Sequence, residues 1–377
     1  MPDQDGPDQA APAADDAFGT DLYRLLSEQA PDVVFSPVSV ASVLQMALCG
    51  ARGQTAAELA SALHLDGSPD TAAAALRTLP ALVANVTADG TVTFRAPAAV
   101  WVQAGLPLRP DFTARLGEAV AEADFAGAPQ QSRAQINRVV AEQTKQKITG
   151  LLPARAIDDR TRLVLTSAIY LKAGWAQTFP ESATADAPFY PDGPDHPSRT
   201  VRMMHSTAAR MYVRGDGYQT VLLPYRGGNL AMAVVLPDGP LAALGPAVAA
   251  GGVHGLLAGT ARYQVTLALP RFRLETGLDL VAVLRQLGVR QAFTDHADFS
   301  GITEAARLLI NAIAHKAYVD VDEQGTEAAA ATAVSFRPTA AFRAPQPVTM
   351  TVDRPFLFAI WSAPAGLPLF LGQVSHP

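Results

Sequence analysis

The stretch Glu323-Gln-Gly-Thr-Glu-Ala-Ala-Ala-Ala-Thr-Ala333, followed by Val-Ser-Phe-Arg-Pro-Thr-Ala-Ala-Phe-Arg-Ala-Pro-Gln-Pro347, decides how the rest of the chain is read. Taken every second residue from Thr326, it gives Thr326, Ala328, Ala330, Thr332, Val334 and Phe336, with no charge among them. The other phase, Glu327, Ala329, Ala331, Ala333, Ser335 and Arg337, holds both charges and the serine. Such a period of two is that of a strand with one face fit for burial and one for water. Alanine is a poor choice for an ordinary strand, and Glu327 with its four alanines equally fits a helix. A flexible linker is a third reading. The fourth is a segment that is a loop in one state and a strand in another, with side chains small enough to slide between existing strands.

Outward from this stretch, the elements change character along the chain. Phe18, Leu22, Leu25 and Leu26 recur at helical spacing, and Ser36-Pro37 opens a second helix carrying Val40, Val43, Leu44, Ala47 and Leu48 on one face. Thr55-Ala-Ala-Glu58 reads as a capping box for a third helix through Leu65, and Thr71–Val83 as a fourth. Residues 132–148 return to helical spacing. Strands are expected at 92–96 and 98–102, and Leu163–Leu171 is apolar enough to be buried on both faces. Further strands follow at 220–224, 230–236, 263–269 and 356–361, divided by Gly/Pro turns. Helices early and strands late imply an α+β fold in one large domain. Residues 1–17, with five aspartates and no basic residue, are expected as a disordered acidic tail before a domain spanning 18–377.

Composition excludes several classes of function. The 377 residues are 49% hydrophobic and 17% charged, which is material for a large core. With 29 basic and 35 acidic side chains, the net charge of −6 lacks the basic field of a general nucleic-acid binder. One cysteine, Cys49, excludes an internal disulfide and lies in an apolar helical pattern, as an inert buried thiol does. No membrane span, no signal peptide and no cofactor motif is read, so a cytoplasmic protein without cofactor or metal is expected. G-x-S-x-G, Walker, GxGxxG and HExxH patterns are all missing, which leaves an enzyme such as a hydrolase without its usual marks. Asn85-Val-Thr87 fits a glycosylation sequon, a pattern common by chance. Four lysines against 25 arginines, with abundant Ala, Gly and Pro, fit a GC-rich bacterial genome.

From Asp21 to Pro377 the chain resembles a serpin. The resemblance is carried by Val34-Phe-Ser-Pro-Val-Ser-Val40, Ile136-Asn137, Thr144-Lys-Gln-Lys-Ile148, Leu163–Trp175 and Leu223-Pro-Tyr-Arg-Gly227. It continues through Leu269-Pro-Arg-Phe272, Ala297-Asp-Phe-Ser-Gly-Ile302, His315-Lys316, Asp322–Ala331, Asp353-Arg-Pro-Phe356 and Leu369-Phe-Leu-Gly372. The resemblance implies a single domain of three β-sheets and eight or nine helices, with a hinge and reactive-centre loop over about 323–347. It implies a monomeric suicide inhibitor of serine proteases, not an enzyme; a non-inhibitory protease substrate or binding protein is the alternative. The target's serine attacks the loop, and the cleaved loop inserts into the main sheet with the acyl-enzyme attached. Fourteen inserted residues at about 3.3 Å each would carry it roughly 45 Å.

Counting from Glu323 as the seventeenth residue before the scissile bond places that bond between Thr339 and Ala340. Gly325, Thr326, Ala328, Ala329, Ala330 and Ala331 then form the hinge. A threonine before the bond suits elastase-like or subtilisin-like proteases. The loop is about five residues longer than usual, so Arg343 (trypsin-like target) and Phe342 or Phe336 (chymotrypsin-like) stay open. Arg271 is the implied partner of Glu323, an exposed pair of small energetic weight. Trp175 is expected where the loop enters the sheet. Ser36, Ser39 and His315 are implied as a polar cluster under the sheet centre, with Ser167 standing where the family usually has asparagine. Arg77 is the only base in 72–85, so no glycosaminoglycan strip is expected.

Overall fold

The computed structural model describes residues 7–66, 68–327 and 347–377. Among them are nine α-helices: α1 (Pro7–Ser27), α2 (Pro37–Gly50), α3 (Gly53–Ala62), α4 (Pro69–Ala75), α5 (Thr78–Thr87), α6 (Pro110–Leu116), α7 (Pro129–Gln143), α8 (Gly245–Leu257) and α9 (Val281–Gln286). The first eight strands are β1 (Val33–Phe35), β2 (Val92–Arg95), β3 (Ala98–Gln103), β4 (Val120–Ala123), β5 (Leu163–Gly174), β6 (Ala185–Phe189), β7 (Arg199–Gly215) and β8 (Tyr218–Pro224). The remaining eight are β9 (Leu230–Pro237), β10 (Ala261–Pro270), β11 (Phe272–Asp279), β12 (Ala312–Val321), β13 (Gly325–Thr326), β14 (Pro347–Thr351), β15 (Phe356–Ser362) and β16 (Leu367–Val374).

The strands form a seven-stranded sheet in the order β11-β12-β13-β5-β3-β4, with β2 also on β5. A nine-stranded sheet runs β1-β16-β15-β9-β8-β7-β10-β14, with β6 also on β7. Three sheets were expected, and the third is the part β6-β7-β10-β14, continuous with the rest because the 17-residue β7 belongs to both. Apolar residues of β5, β8, β9, β12, β15 and β16 meet in a core between the two sheets. Helix α7 covers the outer face of the seven-stranded sheet, where Ile136 and Val140 pack with Val164, Ala168, Tyr170 and Tyr318.

Most boundaries follow local chemistry. Ser36 Oγ accepts from the Ser39 amide at 3.2 Å and caps α2, with Pro37 in its first turn. All fourteen residues of α2 are buried, so it is enclosed on every side rather than amphipathic. Three expectations are corrected. Helix α1 begins at Pro7, so residues 7–17 are not a disordered tail. Alanines favour a helix there, and Asp15 is accommodated in the core by the Gln45 amide at 3.1 Å. Burial pushes the Asp15 carboxyl up to about 7, against the pull of that hydrogen bond. The capping box at Thr55 does not form, because α3 starts at Gly53 and Glu58 instead accepts the Arg290 and Gln291 amides. The helix expected over 71–83 is split into α4 and α5 around Leu76-Arg77.

Candidate functional site

The site is the seam between β5 and β12. These strands run parallel and pair directly from Val164 opposite Ala312 to Tyr170 opposite Tyr318. Above Tyr170 they part, and β13 fills the gap antiparallel to both, with Thr326 opposite Val321 and Ala173 and Gly325 opposite Gly174. The chain reaches this position by a tight reversal after β12. Asp322 Oδ1 accepts the Gln324 and Gly325 amides at 2.7 and 3.1 Å, and the Asp322 amide donates to Gly325 O at 3.0 Å. Gly325 has φ +151°, and a Cβ there would stand 2.1 Å from Ala173 O. Only glycine fits between the backbones.

The side chains around the reversal hold it from three directions. Glu323 is 3% exposed, and its Oε1 accepts from Arg271 Nε at 2.8 Å and Nη2 at 2.7 Å, with Thr184 Oγ1 donating to the same oxygen. Burial opposes ionisation of Glu323, but the Arg271 and Thr184 hydrogen bonds outweigh it and hold its carboxyl below the ordinary range. The pair expected at the surface therefore has its acidic end inside the protein, while the Arg271 side chain stays 43% exposed. The Trp175 indole donates to Asp322 O at 2.9 Å, and the Trp175 amide to Gln324 O at 2.8 Å. Its ring stacks on Tyr225 at 4.5 Å between centroids. Tyr225 and Thr326, both fully buried, share a hydroxyl–hydroxyl bond of 2.6 Å.

Lower in the seam, His315 of β12 lies opposite Ser167 of β5. Its Nε2 accepts from the Ser36 amide at 3.1 Å, which leaves the proton on Nδ1, 2.8 Å from Ser167 Oγ. Complete burial pushes the imidazole down to about 3, so the ring is neutral. Ser167, standing where the family usually has asparagine, thus supplies a hydrogen-bond partner to His315. Ser39 contributes only its amide, to Ser36; its Oγ makes no hydrogen bond among the described residues.

The structure therefore brings Glu323, Gly325, Thr326, Trp175 and Arg271 together at the top of the seam, and Ser36, Ser167 and His315 at its middle. Ala328, Ala329, Ala330, Ala331, Thr339, Ala340 and Arg343 lie outside the described residues. Tyr225 and Thr184 were not singled out from the sequence, since each acts through a tertiary contact with no local periodicity. Among the described residues no cluster of His, Cys, Asp and Glu could hold a metal, and no helix is long and apolar enough to cross a membrane.

A family model described as serpin (serine protease inhibitor) matches residues 13–377. The chain belongs to the serpin family. An uncharacterized serpin-like protein from Thermococcus kodakarensis is 36% identical over 99% of this chain and 87% of its own length. The leukocyte elastase inhibitor of Sus scrofa is 35% identical, over 97% of this chain and 99% of its own. Among solved structures, Serpin48 of the insect Tenebrio molitor superposes with a TM-score of 0.85 at 28% identity and covers both chains completely. The seam between β5 and β12 thus lies in the seven-stranded sheet of a serpin fold.

Proposed function

We propose that this serpin inhibits serine proteases by trapping them as acyl-enzymes. The observation that carries the reading is β13: the hinge is seated at the top of the seam, antiparallel to both neighbours, with Thr326 buried. Continued downward, the same register sets Ala328 between Val319 and Leu171, Ala330 between Ala317 and Ile169, and Thr332 between His315 and Ser167. Val319, Leu171, Ala317 and Ile169 all belong to the core between the sheets. The uncharged phase of the loop thereby enters the core, and the charged phase faces α7. Thr332 brings a hydroxyl to the point where the Ser167–His315 bond is displaced. One parallel pairing is exchanged for two antiparallel ones, which are slightly the stronger kind per residue.

In the reaction, the protease serine oxygen bonds to the Thr339 carbonyl carbon, and the bond to the Ala340 nitrogen breaks, with the amine leaving protonated. The ester tethers the enzyme to the end of the loop. Insertion then moves it some 45 Å at about 3.3 Å per residue, which disorders its catalytic groups before water reaches the ester. A small or medium residue before the bond fits an elastase-like or subtilisin-like partner, and a relative named for elastase supports that class. The protein acts as a monomer in this scheme, since hinge and seam belong to one chain.

Incubation with subtilisin or an elastase, followed by denaturing electrophoresis and intact mass, tests the proposal. The expected result is an SDS-stable complex and a released fragment running from Ala340 to Pro377. A fragment starting at Ala344 moves the bond to Arg343. Loop cleavage across a protease panel with no complex overturns inhibition and leaves a protease substrate on a serpin fold.

A further inference from the structure

Strand β13 stops at Thr326, and the next residue shows how. Glu327 has φ +50°, a left-handed conformation that side chains with a Cβ disfavour and that no strand can contain. Its amide donates to Asp320 O at 2.8 Å. Its carboxylate is paired with Lys147 Nζ and lies near enough to Tyr170, where direct β5–β12 pairing begins, to add to burial in pushing the phenol's pKa up by its charge. The Glu327 side chain is 15% exposed, and its Oε2 is buried without a hydrogen bond among the described residues.

Lys147 is itself presented by a constrained turn. After α7, Lys145 and Gln146 both take positive φ, at 53° and 62°. The Gln146 amide donates to Ala141 O at 2.7 Å and the Lys147 amide to Thr144 O at 3.0 Å. Ile148, fully buried, anchors the far side with its amide on Thr144 Oγ1. The same turn is fastened to the other bank of the seam, where Lys316 of β12 donates to Thr149 O at 2.9 Å and pairs with Glu275 at 2.6 Å. The turn after α7 thus spans the line along which the sheet must open.

We propose that Lys147 is a catch that halts the hinge after Thr326 by holding the Glu327 carboxylate, and so sets the rate at which the loop enters the seam. Insertion requires Glu327 to leave its left-handed conformation for an extended one. The carboxylate's capture opposes that change, and the turn must lift as the strands part. Lys147 is a positioning residue and touches no protease. The proposal borrows its functional consequence from the inhibitory reading, but insertion itself needs no enzyme.

The test follows spontaneous conversion of the full chain to a urea-resistant, loop-inserted form on warming, without protease. Lys147→Met and Glu327→Gln are expected to convert about three to ten times faster than the parent, the range of a partly buried ion pair. Lys147→Arg keeps the parental rate, and the double variant is no faster than either single one, because both remove the same contact. Raising ionic strength accelerates the parent and leaves Lys147→Met unchanged. Where the parent converts too slowly to time at one temperature, conversion is timed at higher temperatures, where the same order of variants is expected. Equal rates in parent and single variants, or additive effects in the double, overturn the catch. Faster conversion in variants of a parent that traps no protease keeps the catch and refutes inhibition; trapping with equal rates does the reverse.

Discussion

The top and the middle of one seam are built in opposite ways. At the top, β5 and β12 are already parted by β13, and the ordering groups, Arg271, Thr184, Trp175 and Tyr225, hold the reversal that carries it. At the middle the same strands pair directly, and the lock is a neutral histidine bonded to one serine side chain and one serine amide. In the proposed mechanism, the upper contacts select where insertion begins and the lower ones break for it to proceed. The sheet is thus parted at one end and closed at the other, and on the proposed mechanism only a short list of polar contacts must exchange for the rest to part.

The largest expected effect comes from blocking the top. Thr326 is fully buried against Tyr225, so Thr326→Arg places a charge where neither water nor a counter-ion reaches, at a cost of several kcal/mol. Complex formation with subtilisin should vanish while loop cleavage persists, read as a switch from the complex band to the cleaved band on denaturing gels. Undiminished complex would refute the register.

An intermediate effect is expected at the middle. His315→Leu removes the acceptor of the Ser36 amide, and destabilisation of about 1–3 kcal/mol at neutral pH is expected by urea unfolding. The pH dependence has a definite sign. The unfolded imidazole binds a proton near 6.5 and the folded one only near 3, so the unfolded state holds more protons between these values and parental stability falls with acidification. Asp15, raised to about 7, acts in the opposite direction over an overlapping window. The difference between parent and variant cancels that contribution, and it should shrink from about pH 7 to pH 4. A constant difference would mean that His315 is not held neutral.

The smallest effect is expected at the Glu323 pair. Arg271→Ala leaves the buried carboxylate with Thr184, and since Arg271 is itself 43% exposed the loss should be about 1 kcal/mol. It should also appear as a change in Trp175 emission, because the indole is tied to Asp322 next door. A loss as large as that at His315 would reverse the ranking of the two regions.

How far the sequence reached follows from the range of each interaction. The cap at Ser36-Pro37 and the doubly buried Leu163–Leu171 were legible because their chemistry is local. The alternation after Thr326 was legible as a pattern, while Glu327–Ala331 read equally well as a helix until the family resemblance was added. What stayed hidden was non-local. Asp15 and its neighbours read as a solvated tail because nothing nearby announces Gln45, thirty residues on. Glu58 looked like a capping residue, yet it serves the amides of Arg290 and Gln291. The Tyr225–Thr326 and Lys147–Glu327 contacts join segments about 100 and 180 residues apart, and no period in the chain encodes them.

The central claim is that the loop enters this seam in the register begun by Thr326. A crystal structure of the protein after cleavage of its loop tests it most directly. The account predicts an added strand between β5 and β12, with Ala328 beside Val319 and Leu171 and the Thr332 hydroxyl between His315 and Ser167. A cleaved protein in which Ser167 still faces His315 and β5 still pairs with β12 would contradict it.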